Sequence, residues 1–244
     1  MDKCIDRYAV VSEYVRAAAV RTFAFMEPKI AVLPNGINTE TFHPRPDYLE
    51  PQSPIGVLFI GRINYDKGPD IAADAVAALR REGIPLALTI AGGTWFYGHN
   101  QQDPYLRSLL NKIDAAGGKY LGHVVRNDLP ELLRQHDVAF VPSRWNEPSG
   151  NVVLENMASG LAVVASNRGG IPEVCGSAGI LADPGDLPSM ITVLRNLATS
   201  PFALAAEKRK SVARAAECTW KKRADELLKI IGGGRGAAPV STGN

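Results

Sequence analysis

The sequence predicts an α/β fold, a parallel sheet with helices on both faces. Three observations predict it. Short apolar runs that end in Gly, Pro or Ser alternate with longer stretches at helical spacing. The runs are apolar at almost every position, as strands buried on both faces require. The chain has 244 residues, 45% of them hydrophobic, which is enough to build a large core.

Taken in order, YAVVS (8–12) reads as a strand, 13–26 as a helix and KIAVLPNG (29–36) as a strand running into a turn. NGINTETFHPRPDYLEPQSP is proline-rich and poor in core residues, so it reads as a linker. Six buried strands then follow: VLFIG (57–61), ALTIAGG (87–93), KYLGHV (119–124), VAFVPS (138–143), AVVAS (162–166) and GILAD (179–183). Between the first two, DIAADAVAALRRE (70–82) puts Ile71, Ala75, Ala78 and Leu79 on one helical face. Its Asp70 lies near the start and Arg80 and Arg81 near the end, as the helix dipole prefers. PYLRSLLNKIDAAGG (104–118) repeats the pattern with Gly117 as its stop. DLPELLRQH, VVLENMASG and 186–199 supply three more helices, and GGGRGAAPVSTGN is a flexible polar tail. No repeat of fixed period is present.

Composition excludes several function classes. Lys and Arg number 27 against 25 Asp and Glu, so the one-sided basic footprint of a nucleic-acid binder is missing. No window approaches the ~20 apolar residues of a membrane span. The start, MDKCIDRYAVVSEY, lacks a secretory h-region. Cys4, Cys175 and Cys218 form neither a metal pattern nor a disulfide framework. These features predict a reduced, cytoplasmic protein.

Ligands of such sheets bind at the carboxyl ends of the strands, and two constellations fall there. GRINYDKG (61–68) follows the strand VLFI. Gly61 and Gly68 let the backbone bend, and Arg62 and Lys67 suit a diphosphate. The plainer reading of this loop alone is a solvated loop with two surface cations. EPSGNVVLE (147–155) follows VAFVPS and opens a helix whose first amides lack internal partners. Gly150 leaves room for a phosphate there. Glu147 and Glu155 are acids that can each accept two hydroxyls of a sugar or ribose. The alternative is that Glu147 complements the dipole and Glu155 is a common helix former. The strand that points into the stretch favours the site.

Weaker features stand beside these. Gly169 and Gly170 in ASNRGGIPE suit a close approach to a ligand, but a plain tight turn is the better reading in isolation. His123 ends YLGH with no base or nucleophile paired to it in sequence. His43, His99 and His136 have no ligand spacing. GxSxG, GxxxxGK[ST] and GxGxxG are all absent. No Asp-x-Asp pair offers a carboxylate nest, so no required metal is expected.

In order and spacing, GRINYDKG, YLGHV with DLPELL, VAFVPS, EPSGNVVLENMASGLAVVAS and GGIPEV resemble the nucleotide-binding half of retaining GT-B glycosyltransferases. The resemblance covers roughly residues 55–200, and the acid pair with seven residues between is its most specific mark. It implies a Rossmann-like sheet, the C-terminal domain of a GT-B fold, and transfer of a sugar from a nucleoside diphosphate sugar. It implies that Arg62 and Lys67 neutralise the donor diphosphate and that Glu147 holds the sugar hydroxyls. Gly150, Asn151 and Val152, with Val153 and Gly61 beside them, would meet the sugar and distal phosphate. Glu155 would hold the ribose, and the backbone of His123, Val124 and Val125 the nucleobase. No metal cofactor and no enzyme nucleophile are implied.

The resemblance also divides the chain. Residues 1–35 look like the remnant of an N-terminal acceptor domain, 36–54 like the crossing linker, and 55–217 like the donor-binding domain. Residues 218–231 look like a closing helix and 232–244 like the tail. The apolar faces of Val10, Val11, Val15 and Phe23 would lack their usual cover. The expected partners are therefore a nucleotide-sugar donor, plus a separate acceptor domain or a second copy. Peripheral membrane contact would come through the acceptor domain. Two further readings compete: a nucleotide-sugar-binding module without transferase activity, and a nucleotide-dependent oxidoreductase. The missing dinucleotide fingerprint counts against the last.

Overall fold

A computed structural model describes residues 5–94 and 103–232 of the chain. Cys4, His99 and residues 233–244 of the expected tail lie outside the described residues.

The main sheet has six parallel strands: β3 (Ile55–Ile60), β4 (Leu86–Ala91), β5 (Lys119–Tyr120), β6 (Val138–Val141), β7 (Ala162–Ser166) and β8 (Ile180–Ala182). Their order is β5-β4-β3-β6-β7-β8, and every pairing is parallel. From β3 the chain winds outward through β4 to β5, then returns to β6 and winds the other way. The reversal falls between β3 and β6, which opens a crevice at their carboxyl ends.

Helices cover both faces. Val57 and Phe59 of β3 point into a core built with α2 (Pro69–Arg81), α3 (Pro104–Ala115) and α7 (Leu187–Thr199). Leu58, between them, points to the opposite core. That core is built with α4 (Leu129–Arg134), α5 (Asn151–Ala158), α6 (Ile171–Cys175) and α8 (Pro201–Glu217). This two-sided burial is why the strands carry no polar alternation.

The fold class and the strand positions match expectation, with three local differences. KYLGHV is a strand only at Lys119 and Tyr120, because the backbone turns at Gly122, where φ is +70°. The Gly122 carbonyl instead accepts the Gly92 amide at 2.7 Å. IPEVC, which was not assigned to an element from sequence, forms the short α6. The helix α8 was not anticipated, since its buried stripe is Leu204, Lys208, Ser211 and Ala215 and carries little apolar signal.

Apart from the main sheet, β1 (Tyr8–Val10) and β2 (Ile30–Val32) form a two-stranded parallel sheet joined by α1 (Glu13–Thr22). No residue of α1 is buried, and Phe23 and Phe25 are each more than half exposed. The segment after β2 is less open than its composition suggests. Ile37 and Phe42 are buried, and Ile37 bridges to Thr219 just before α9 (Trp220–Gly232).

The helix α8 is fixed by a buried ion pair. Lys208 Nζ donates to Asp137 Oδ1 at 2.6 Å and to the Tyr48 carbonyl at 2.8 Å. Asp137 Oδ2 accepts the amides of Gly56 (3.0 Å) and Gln52 (3.2 Å). The pair thus ties α8 to the segment after β2 and to the starts of β3 and β6. Burial pushes the Lys208 ammonium pKa down against the pull of Asp137. Without Lys208, Asp137 keeps only the more distant Arg45, 3.7 Å from the same oxygen, and breaking such a buried pair costs about 3–5 kcal/mol. Lys208→Met is expected to lose about 3 kcal/mol in urea denaturation, the low end because two backbone amides still serve Asp137.

Candidate functional site

The loop after β3 is shaped by local hydrogen bonds. Asn64 Oδ1 accepts the Lys67 amide at 3.1 Å and caps a single 3-10 turn, Tyr65–Lys67. Gly68 ends it in the left-handed region, at φ +72°. A Cβ on Gly68 would lie 2.3 Å from the Pro142 carbonyl oxygen, so only glycine lets this loop meet the loop after β6. The two loops are then tied together. The Asp66 carbonyl accepts the amides of both Arg144 (2.7 Å) and Trp145 (3.0 Å). Arg144 grips Asp70 through both terminal nitrogens, at 2.8 and 2.7 Å, and lies 4.1 Å from the centroid of the Tyr65 ring. Burial raises the Asp70 pKa, but the hydrogen bonds from Arg144 and Tyr105 outweigh it and hold the carboxyl below its ordinary value.

Through this clamp Lys67 meets Glu147. Lys67 Nζ forms an ion pair with Glu147 Oε1, with side chains 18% and 15% exposed. The Ser143 hydroxyl lies 3.1 Å from the same oxygen. Gly169 and Gly170 hold Glu147 from behind. The Gly170 amide donates to the Glu147 carbonyl at 2.6 Å, and a Cβ on Gly169 would lie 2.3 Å from that oxygen. These two glycines therefore approach the protein backbone, in the tight turn that leads into α6.

Gly150, at φ +70°, starts α5 with no side-chain cap. The amides of Asn151 and Val152 lie ahead of the helix's own hydrogen-bond ladder. Asn35 Nδ2 donates to Asn151 Oδ1 at 2.7 Å. Further along α5, Glu155 is 8% exposed and its Oε1 accepts from Arg126 at 2.5 Å. Burial pushes the Glu155 pKa up, and the Arg126 hydrogen bond and charge oppose that rise.

These parts share one cavity of about 500 Å³ at the carboxyl ends of β3 and β6. Gly61, Arg62, Lys67, Glu147, Gly150, Asn151, Val152 and Glu155 all line it. Four other expected residues do not. Val153 is fully buried in the core, and its amide donates to the Gly150 carbonyl at 2.9 Å. His123, Val124 and Val125 sit on the loop after β5, two strands from the crevice, with His123 and Val125 exposed. That loop reaches the cavity through Arg126, its contact with Glu155.

Val11, Asn35 and Ser143 also line or serve the cavity and were not singled out from sequence. Ser143 closes the run VAFVPS and was within reach of that reading. Asn35 and Arg126 carried no local signal, since their partners lie 116 and 29 residues away. Among the described residues, no three His, Cys, Asp or Glu side chains gather as a metal ion would require.

Comparison with known proteins places this arrangement. The family model for glycosyl transferases group 1 matches residues 54–200. Spore coat protein SA of Bacillus subtilis is 30% identical over 93% of this chain and 66% of its own length. The glycogen synthase of Mycobacterium tuberculosis is 33% identical over 76% of this chain and 43% of its own. The D-inositol 3-phosphate glycosyltransferase of Stackebrandtia nassauensis is 32% identical over 84% and 48%. The chain thus spans between 43% and 66% of the length of these three relatives. Among solved structures, Anabaena HepE superimposes with a TM-score of 0.78 at 20% identity, over 93% of this chain and 63% of its own. Sucrose-phosphate synthase of Thermosynechococcus elongatus gives 0.74 at 22% identity, over 92% and 57%. With the family model covering well over half of its residues, the chain belongs to the group 1 glycosyl transferases.

Proposed function

We propose that this chain binds a nucleoside diphosphate sugar in the cavity between β3 and β6 and serves its transfer, with retention, as a hexose to an acceptor. One observation carries the reading. Arg62, Lys67, the mouth of α5, Glu147 and Glu155 line a single hollow. A nucleoside diphosphate sugar needs these groups in one place: cations and free amides for the phosphates, and acids for the hydroxyls at either end. The solved HepE structures, which hold UDP, UDP with glucose, or UDP-glucose, support the donor class.

The chemistry follows from where charge develops. As the glycosidic bond breaks, negative charge grows on the leaving diphosphate. Preorganised cations and helix amides stabilise it there without the need to reorganise solvent. Arg62 and Lys67 take that role, so the reaction as proposed needs no metal. Glu147 orients the sugar, and the departing phosphate takes the acceptor's proton on the same face, with no enzyme nucleophile. Lys67 must exchange Glu147 for phosphate oxygens on binding, which frees the Glu147 carboxylate for the sugar hydroxyls. The acceptor side belongs to an acceptor-binding partner or domain, or to a second copy of the chain.

Three outcomes are expected. UDP or GDP at 100 times its dissociation constant stabilises the chain by about 2.7 kcal/mol, whereas NAD leaves the melting temperature unchanged. The reading fails if only NAD raises it. Hydrogen bonds to charged groups contribute about 1.5–3 kcal/mol each. Glu155→Ala is therefore expected to weaken UDP binding about tenfold by calorimetry. Arg62→Ala combined with Lys67→Ala is expected to weaken it about a hundredfold, with a larger loss at low salt, where surface charge is least screened. Unchanged affinity in that double variant would remove the diphosphate assignment.

A further inference from the structure

Of the cationic side chains around the cavity, Arg126 touches the ribose end rather than the phosphate end, and it is braced from outside the loop that carries it. Its guanidinium lies 5.0 Å from the centroid of the Phe42 ring. Phe42 is buried, its amide donates to the Asn38 carbonyl at 2.9 Å, and Asn38 Oδ1 accepts the Glu40 amide in the same turn. The segment after β2 thus supplies a rigid platform. From it, Arg126 Nη1 reaches Glu155 Oε1 at 2.5 Å. Among the described residues, Oε1 is the one oxygen of that carboxylate with a hydrogen-bond donor.

We propose that Arg126 is the positioning residue of the nucleotide site: it engages one oxygen of Glu155, fixes the carboxylate in place, and leaves the other oxygen to the ribose hydroxyls of the bound nucleotide. The proposal rests on the donor-binding reading above. The pair is lopsided. The Arg126 side chain is 66% exposed and pays little to be charged, while that of Glu155 is 10% exposed. Burial favours the neutral acid at Glu155, and Arg126 is the group that opposes it. A protonated Glu155 would lose an acceptor site and gain a donor, the wrong inventory for a diol that donates two hydrogen bonds.

Other charged groups near α5 are committed elsewhere. Lys67 pairs with Glu147, and Lys208 with Asp137. Arg214 donates to the backbone of Glu173 and Val174, and the Glu173 carboxylate accepts the Glu13 and Tyr14 amides. Arg62 lines the same cavity.

Two variants and two readouts test this. Arg126→Met keeps the stem over Phe42 without the charge, and Arg126→Lys keeps the charge. Glu155 is titrated by carbon NMR of its carboxyl in the ligand-free protein, and UDP and GDP affinities are measured by calorimetry from pH 5.5 to 8.5. The titration midpoint of Glu155 should move to higher pH in Arg126→Met and back toward wild type in Arg126→Lys. Arg126→Met should bind the nucleotide about tenfold more weakly than wild type at the acid end of the range, with the deficit narrowing steadily as the pH rises. An unmoved midpoint, or an affinity loss equal at all pH values, would overturn the proposal and leave Arg126 a mere contact. If the midpoint moves but wild type binds neither nucleotide at any pH, the donor reading itself has failed, and the ribose role of Arg126 falls with it.

Discussion

The site depends on one backbone contact: the Asp66 carbonyl accepts two amides, those of Arg144 and Trp145. The loop after β3 and the loop after β6 belong to neighbouring strands, but neighbouring strands do not oblige their loops to touch. Here they touch because Gly68 lacks the Cβ that would strike the Pro142 carbonyl. Arg144 then seals the contact with two hydrogen bonds to a half-buried Asp70. A bidentate guanidinium–carboxylate pair in a partly dry place is among the stronger polar contacts a surface loop can make. It fixes Lys67 on one loop against Glu147 on the other, and so sets how the two loops line the cavity.

Within the cavity the acids are paired by the protein's own cations. Each of the two acids has a cation: Lys67 for Glu147 and Arg126 for Glu155. The pairs are not equivalent. Lys67 and Glu147 are both largely shielded, so the charges need each other, and a dianionic diphosphate is the kind of ligand that can replace Glu147 at Lys67. Arg126 is mostly in water and loses little when its partner is shared. A ligand that bridges the cavity would therefore rearrange the Lys67 end and leave the Arg126 end in place. Binding energy would be drawn chiefly from phosphate contacts, while the ribose end would supply register.

Much of this was legible in the sequence because it is written locally. AVVAS forms a strand over all five of its residues, since an apolar run bounded by Gly and Asn has no other low-energy use. The two glycine-bearing loops could be placed because a parallel sheet puts its ligand loops at the carboxyl ends of its strands. What could not be read is what depends on distant pairing. The burial of Lys208 becomes sensible only with Asp137 beside it, 71 residues earlier. Phe42 and Ile37 looked like linker residues because their partners, Arg126 and Thr219, lie far along the chain. The backbone of KYLGHV leaves the sheet at Gly122, and the run's apolar residues gave no sign of that.

The small β1–β2 unit is wired to the same site. The Ser12 hydroxyl donates to the Pro148 carbonyl at 2.5 Å, beside Glu147. The Glu173 carboxylate accepts the first two amides of α1, at 2.6 and 2.8 Å, and so caps a helix that contributes nothing to the core. Asn35 reaches Asn151 at the mouth of α5, and Val11 lines the cavity itself. None of these contacts buries much apolar surface, so each is individually modest. Their value lies in placement, because they land on Pro148 and Asn151, either side of Gly150, and on α6, whose leading turn backs Glu147. The β1–β2 unit and the rim of the cavity thus share these polar contacts. The large sheet supplies most of the cavity's lining, and the segments after β1 and β2 add Val11 and Asn35 to it.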